Sequence, residues 1–112
     1  MPPPPPKTIQ AAVFIDSNGD AVIFPPVIIA AKGDDVDIVN ATADDIVIIY
    51  PNDVFKDSGG QLKRSADVAE KAQKKKKTVD AAAVSGRHPF KVFSFATGVF
   101  AKANSDPEFI IE

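Results

Sequence analysis

The stretch that decides the fold lies near the end of the chain. It reads GRHPFKVFS over residues 86–94 and is followed by TGVFAKANSDP over residues 97–107. Over residues 90–92 of the first segment an apolar, a polar and an apolar side chain follow one another, and successive side chains of a strand point to opposite faces. Phe90, Val92 and the final Ser94 therefore share one face, and the lysine between the two apolar residues lies on the other. The segment predicts a strand with Phe90 and Val92 in the core.

Composition indicates an all-β domain. The chain has 112 residues, a length that suits one domain. Twelve Val and eleven Ile stand against a single Leu; β-branched residues favour strands, whereas Leu favours helices. There is no Cys, which excludes disulfides and thiolate metal sites. The net charge of −2 supplies no basic field for nucleic acid, and no apolar stretch is long enough to span a membrane.

The first part of the chain predicts a hairpin and a change of sheet. Strands are expected over 8–15 and 21–24, on either side of a turn at 16–20 that contains Asn-Gly. Residues 25–26 are both proline and cannot donate hydrogen bonds to a neighbouring strand. We therefore expect the chain to cross there from one sheet to the other before a further strand over 27–31.

Two more strands follow. A Lys-Gly-Asp turn leads into residues 35–40, where alternation predicts inward Val and Ile, with Asp35 and Asp37 toward solvent. Residues 46–50 are apolar on both faces, which predicts a central strand that is covered on both sides.

The middle of the chain is harder to interpret. Residues 51–64 are polar and predict a long connection. Ala, Glu and Lys between 65 and 77 favour helix, so a helical turn over 67–72 stays open, although a strand over 75–80 is preferred. A closing strand is expected over 108–111.

Two segments resemble the cupredoxins, the small sandwich proteins that carry blue copper. Residues 32–40 are similar to the family's turn and central strand, which ends in Asn. Residues 86–107 are similar to the family's last two strands, with Ser94 at the position of its cysteine. The resemblance covers about residues 19–112. It implies a Greek-key β-sandwich of seven or eight strands, and it implies export to the periplasm or beyond.

The resemblance also locates the copper ligands that the family uses, and none is present. Blue copper needs two imidazoles and a thiolate, with a weak axial ligand. Ser94 replaces the cysteine, and the loop 95–104 contains no His or Met where the second histidine and the methionine would lie. The first histidine would fall within 40–49, which also lacks His. The chain is therefore predicted to hold no copper and no other cofactor.

Three further features invite a functional interpretation. Phe95, Val99 and Phe100 follow the vacant cysteine position and are candidates for docking a partner protein. His88 is the single histidine and is interpreted as a cover at a sheet edge, since a general base or metal ligand needs partners. The four lysines over 74–77 predict a charged edge that blocks pairing between sheets.

The sequence predicts a non-catalytic, copper-free domain that acts as a structural or protein-binding module. A designed or engineered scaffold is one form of this hypothesis. A degenerate electron-transfer relative that still docks its partner is an alternative, and an immunoglobulin-like adhesion module is another.

Residues 1–6 are predicted to be a disordered, proline-rich leader, and residues 7–112 a single domain. No signal peptide precedes the domain in this chain, since the leader has no apolar core. The sequence leaves open an unidentified protein partner, nucleic acid and membrane are not expected, and the domain is expected to be monomeric.

Overall fold

The computed structural model describes residues 5–51, 54–55, 66–101 and 107–112. Within those ranges the regular elements are eleven β-strands and no helix. Their bounds are Thr8–Ile15 (β1), Ala21–Phe24 (β2), Val27–Ala30 (β3), Asp35–Asn40 (β4), Ile46–Ile49 (β5), Ala66–Ala69 (β6), Lys74–Thr78 (β7), Gly86–Pro89 (β8), Lys91–Ser94 (β9), Val99–Phe100 (β10) and Glu108–Ile111 (β11).

The strands form three sheets. The first has the order β2-β1-β4-β7, the second β10-β9-β5-β6, and the third β3-β11-β8. Strand β1 pairs in parallel with β4, and β11 pairs in parallel with β3, whereas the other pairs are antiparallel. The all-β domain predicted from composition is confirmed.

The chain changes sheet at two points, which divides long strands into shorter segments. The first lies at Pro25-Pro26, between β2 of the first sheet and β3 of the third, as the two prolines predict. The second lies at Phe90, between β8 of the third sheet and β9 of the second. Each break divides one long strand into two, which is one reason why the structure has more strands than the expected seven or eight.

An aromatic cluster fills the centre of the sandwich. Phe90 stacks on Phe109, with ring centroids 4.3 Å apart, and Phe109 meets Phe55 edge to face at 4.9 Å. Tyr50 extends the cluster by packing against Phe55 at 5.4 Å. All four side chains are buried. Burial is the main cause that raises the pKa of the Tyr50 hydroxyl. The neighbouring Asp67 carboxylate, which accepts a hydrogen bond from this hydroxyl, raises it further.

The strand β4 corrects one prediction. Val36 and Ile38 are in the core as expected, but Asp37 is only 3% exposed and not on a solvated face. Strand β4 lies between β1 and β7, and a lysine of β7 reaches over its outer surface. The Lys74 ammonium lies 3.6 Å from Asp37 Oδ2. Asp35 is half-buried and accepts a hydrogen bond from a threonine hydroxyl of β7 at 2.6 Å.

Strand β5 confirms one half of its prediction. It is central in its sheet, between β9 and β6. Its inward Ile46 and Ile48 are fully buried, but Val47 and Ile49 on the outer face are only half-buried. The expected cover on both sides is therefore wrong for the part of the chain that the structure describes.

Two predictions for the middle of the chain are also resolved. The open alternative of a helical turn over 67–72 is wrong, because Ala66–Ala69 is a strand that pairs with β5. The segment predicted to be a long polar connection contains two core residues, Val54 and Phe55, which are both fully buried. The remaining residues of 52–65 lie outside the described part, as do residues 1–4 of the predicted leader.

The turn before β4 is held by a buried carboxylate. Asp34 accepts hydrogen bonds from the backbone N–H groups of Lys7 at 3.1 Å and Ala31 at 2.9 Å. Burial raises the pKa of Asp34, but those two N–H donors and the Lys7 charge lower it more, so the pKa lies below its ordinary value. Gly33 has a φ of +90°, which a residue with a Cβ rarely adopts.

Candidate functional site

Ser94 lies at the end of β9, inside the sandwich. It pairs with Ile46 of β5 on one side and with Val99 of β10 on the other. Its side chain is fully buried, and Oγ has no hydrogen-bond partner among the described residues. Phe90 and Val92 are buried on the same face, and Lys91 is exposed. The face assignment from alternation is confirmed.

The loop beside Ser94 is organised by Asn40, the last residue of β4. Its fully buried amide donates hydrogen bonds from Nδ2 to the carbonyl oxygens of Asp44 at 2.7 Å and Ala69 at 2.8 Å. Its Oδ1 accepts hydrogen bonds from the Thr42 N–H at 2.9 Å and the Thr42 hydroxyl at 2.7 Å. The amide therefore makes four hydrogen bonds, three to the loop residues Thr42 and Asp44 and one to Ala69 of β6. Through them Asn40 connects β4, β6 and the start of β5.

These residues do not fit a blue copper ion. Opposite Ser94 stands Ile46, an aliphatic side chain without a donor atom. The nearby Asn40 oxygen is committed to Thr42, and a serine hydroxyl does not supply the soft thiolate on which the chemistry depends. Among the described residues, no group of three or more His, Cys, Asp or Glu is placed to hold any metal ion. The polar atom at Ser94 is an isolated hydroxyl in an apolar setting.

Comparison with solved structures identifies the fold. A purple cupredoxin from Nitrosopumilus maritimus aligns with a TM-score of 0.56 and 13% identity, over 93% of this chain and 99% of that one. A reduced amicyanin mutant aligns with a TM-score of 0.54 and 16% identity, and another amicyanin mutant, in the Cu(I) state, with 0.53 and 14%. Both amicyanin alignments cover 90% of this chain and 80% of the other. The chain has the cupredoxin fold, as the resemblance in residues 32–40 and 86–107 predicts.

Comparison with known sequences gives no further information about the fold. No protein-family model and no curated protein sequence matches the chain. The likeness is therefore one of architecture, and the site residues have to be assigned from this structure alone. Within the described residues no helix is long and apolar enough to cross a membrane.

The three docking candidates are all half-exposed but do not share one face. Phe95 is 53% exposed and Phe100 47%. Both rings contact Phe93 edge to face, with centroids 5.3 and 5.4 Å from it. Val99 pairs with Ser94, so alternation directs its side chain to the opposite side of the two-residue strand β10. Phe95 and Phe100 therefore belong to one surface and Val99 to another.

That surface is larger than the sequence indicates. Strand pairing places Phe100, Phe93, Val47 and Val68 next to one another across β10, β9, β5 and β6. We call these four residues and Phe95 the phenylalanine face. Val68 is 52% exposed, and Phe93 and Val47 are half-buried. Sequence reasoning missed Phe93, Val47 and Val68 because their contact depends on register between distant segments, although alternation with the buried Val92 already marks Phe93 as outward-facing.

The two remaining candidates lie at sheet edges. His88 is half-buried on β8, an edge strand, and its Nε2 lies 2.7 Å from the carbonyl oxygen of Val84. The lysine strand β7 ends the first sheet, as predicted. Its Lys77 points inward, with the ammonium 3.5 Å from Asp67 and 5.3 Å from the centre of the Tyr50 ring. An inward-pointing charge of this kind protects an edge from pairing with other sheets.

Replacing Ser94 with cysteine is expected to stabilise the domain without creating a copper site. A thiol costs less to bury than a hydroxyl that has no partner, so the gain is about 1 kcal/mol. Cysteine supplies one strong ligand, and no imidazole stands near it among the described residues. Urea unfolding under reducing conditions measures the first effect, and the visible spectrum with Cu(II) measures the second.

Ser85→Cys is the matched control, because Ser85 is exposed. It is expected to leave the unfolding midpoint unchanged. The unsubstituted protein is expected to give no intense visible band with Cu(II). A strong thiolate-to-copper band in Ser94→Cys alone would contradict the assignment of the surrounding residues.

Proposed function

We propose that this domain is a copper-free protein-binding module that docks its partner through the phenylalanine face. The observation that carries the proposal is the outward aromatic cluster of Phe93, Phe95 and Phe100. Exposed apolar clusters are uncommon on proteins that make no contacts, and aromatic residues are enriched in binding surfaces. Phe93 contacts each of the other two rings edge to face, and these contacts restrict the rings before a partner binds, which lowers the entropy lost on binding.

A catalytic role has no support in this arrangement. Ser94 Oγ is buried without a hydrogen-bonding base among the described residues, and a serine nucleophile needs one within about 3 Å. His88 lies at a sheet edge with its Nε2 against a backbone carbonyl. We therefore propose that the domain is not an enzyme, and that it works outside the cytoplasm, as the cupredoxin resemblance suggests.

The electron-transfer alternative uses the same surface but requires a redox group. Phe95 comes directly after the vacant cysteine position and Phe100 lies in the segment that follows, which supports a docking role inherited from an electron carrier. The immunoglobulin-like alternative is less well supported, since a purple cupredoxin and two amicyanin mutants align over 90% or more of the chain.

A peptide-selection experiment tests the proposal without knowledge of the natural partner. A library of random peptides displayed on phage is selected for binding to the immobilised domain. Selected peptides are expected to bind Phe95→Ser and Phe100→Ser at least about tenfold more weakly, since each variant removes a large apolar contact.

Ile29→Ser is the matched control. Ile29 is 51% exposed and lies on β3, in a different sheet. It is expected to bind the selected peptides as well as the unsubstituted domain does. Peptides that tolerate both phenylalanine changes, or that lose binding to Ile29→Ser, would overturn the assignment of the docking surface.

A further inference from the structure

Around the phenylalanine face, charged residues are segregated into two rows. On one side, Lys91 of β9 pairs with Ile49 of β5, which pairs in turn with Ala66 of β6. Among the described residues this basic row contains a single charge, the Lys91 ammonium, which lies 5.4 Å from the centre of the Phe100 ring.

The opposite side carries an acidic row. The N–H of Phe95 donates a hydrogen bond to the carbonyl oxygen of Asp45 at 3.1 Å, so these residues lie side by side. Glu70 follows Ala69, which pairs with Ile46, and therefore extends the same row beyond Asp45. Asp45 is half-exposed and Glu70 exposed. The outer face of the sheet thus runs from a basic row, through an apolar row, to an acidic row.

Such a face is complementary to itself. A two-fold axis that lies in the plane of the face and runs across the strands places the basic row of one copy against the acidic row of the other. The apolar rows then meet along the axis, Phe93 and Phe100 of one copy against those of the second. Each Lys91 faces the row that contains Asp45 and Glu70, and symmetry makes this contact twice.

We propose that the phenylalanine face binds a second copy of this chain in a symmetric dimer. The proposal rests on the proposed function, and it names the partner. Two packed rows of side chains bury much less than the roughly 800 Å² per partner of a standard stable interface. The dimer is therefore weak, with a Kd of roughly 0.1–1 mM, and at micromolar concentration the domain remains the monomer that the sequence predicts.

A charge exchange between two variants tests the symmetric arrangement. Lys91→Glu and Asp45→Lys each place like charges opposite one another at both contacts, so each alone is expected to raise the dimer Kd by on the order of tenfold. An equimolar mixture pairs chains that carry Lys91→Glu with chains that carry Asp45→Lys, which restores both opposite-charge contacts. Its heterodimer Kd is expected within about threefold of the original. Sedimentation equilibrium at roughly 0.05–2 mM, a range that spans the expected Kd, measures the unsubstituted dimer and the mixed heterodimer, and it is expected to show each single variant as largely monomeric.

Two further variants control for folding and for location. Phe100→Ser is expected to abolish dimers over the whole range, and Lys32→Glu, a charge reversal at an exposed turn residue remote from the face, to change nothing. Thermal unfolding of each variant verifies that it is folded. A dimer that survives Phe100→Ser, or a mixture no stronger than its components, would overturn the inference.

The sedimentation and peptide-binding results together distinguish a failure of the dimer from a failure of the proposed docking surface. If the unsubstituted chain stays monomeric at roughly 2 mM, the top of the concentration range, while selected peptides still bind through Phe95 and Phe100, the second copy is the wrong partner and the docking surface stands. If neither peptides nor a second copy bind, both proposals fall.

Discussion

Replacing Phe90 with alanine is expected to lower the free energy of unfolding by about 3–5 kcal/mol, the cost of removing a large aromatic side chain from a packed core. Phe90 is 2% exposed and stacks on Phe109, with ring planes 24° apart. It also stands where the chain crosses between sheets, between β8 of the third sheet and β9 of the second. A loss of this size is a large part of the stability of a typical domain.

Two control variants separate the effect of burial from the effect of the substitution itself. Phe24→Ala makes the same substitution at a residue that is 66% exposed, and Lys91→Ala changes the exposed neighbour of Phe90. Both are expected to stay within about 0.5 kcal/mol of the unsubstituted protein. Urea unfolding followed by circular dichroism measures all three midpoints. Equal midpoints for Phe90→Ala and Phe24→Ala would show that the core does not depend on the crossing.

The second large effect is expected at Asn40. Changing this residue to alanine removes both donors to the Asp44 and Ala69 carbonyl oxygens and the acceptor for Thr42. Leaving buried polar groups without partners costs about 1–3 kcal/mol each. Some groups regain water after the change, so the expected loss is about 3 kcal/mol in the free energy of unfolding.

Asn18→Ala provides the comparison, since Asn18 is exposed in the turn between β1 and β2. It is expected to cost less than about 1 kcal/mol. Hydrogen exchange adds a local measurement: the Thr42 N–H is expected to lose its protection in Asn40→Ala before the strands of the first sheet do. Full protection of that N–H in the variant would show that Asn40 does not organise the loop.

Local rules were enough for the outline of the fold. Alternation over 86–94 placed Phe90, Val92 and Ser94 inside, because a one-residue shift would have exposed two core residues. The prolines at 25–26 marked a change of sheet for an equally local reason, the missing N–H donors. Predictions of this kind succeed when the deciding interaction lies within a few residues of the chain.

The errors share a different cause. Asp37 is buried because Lys74 reaches over it from another strand, and nothing near Asp37 in the sequence indicates that neighbour. Phe55 is buried although most residues around it are polar, because its ring packs between Tyr50 and Phe109 in the centre of the sandwich. Both outcomes depend on which strands become neighbours.

The candidate site shows the same limit. The position of Ser94 and the absence of His and Met beside it follow directly from the sequence. The phenylalanine face was only partly foreseen, since Phe95 and Phe100 were named but Phe93, Val47 and Val68 were not. Those three residues are joined by the register of β5 with its two neighbours, which no single segment specifies.

The closeness of Lys7 to Glu112 has a practical consequence for building with this domain. Lys7 and Glu112 line one cavity beside Asp34, so the two ends of the domain lie close together. Gly86 pairs with Ile111 at that end, and the path from there to Ser94 leads away from it. A short tether at each terminus can therefore graft the whole domain into a surface loop of a host protein, because neighbouring termini make such insertions tolerable. The host would then display the phenylalanine face on the outer surface of the inserted domain.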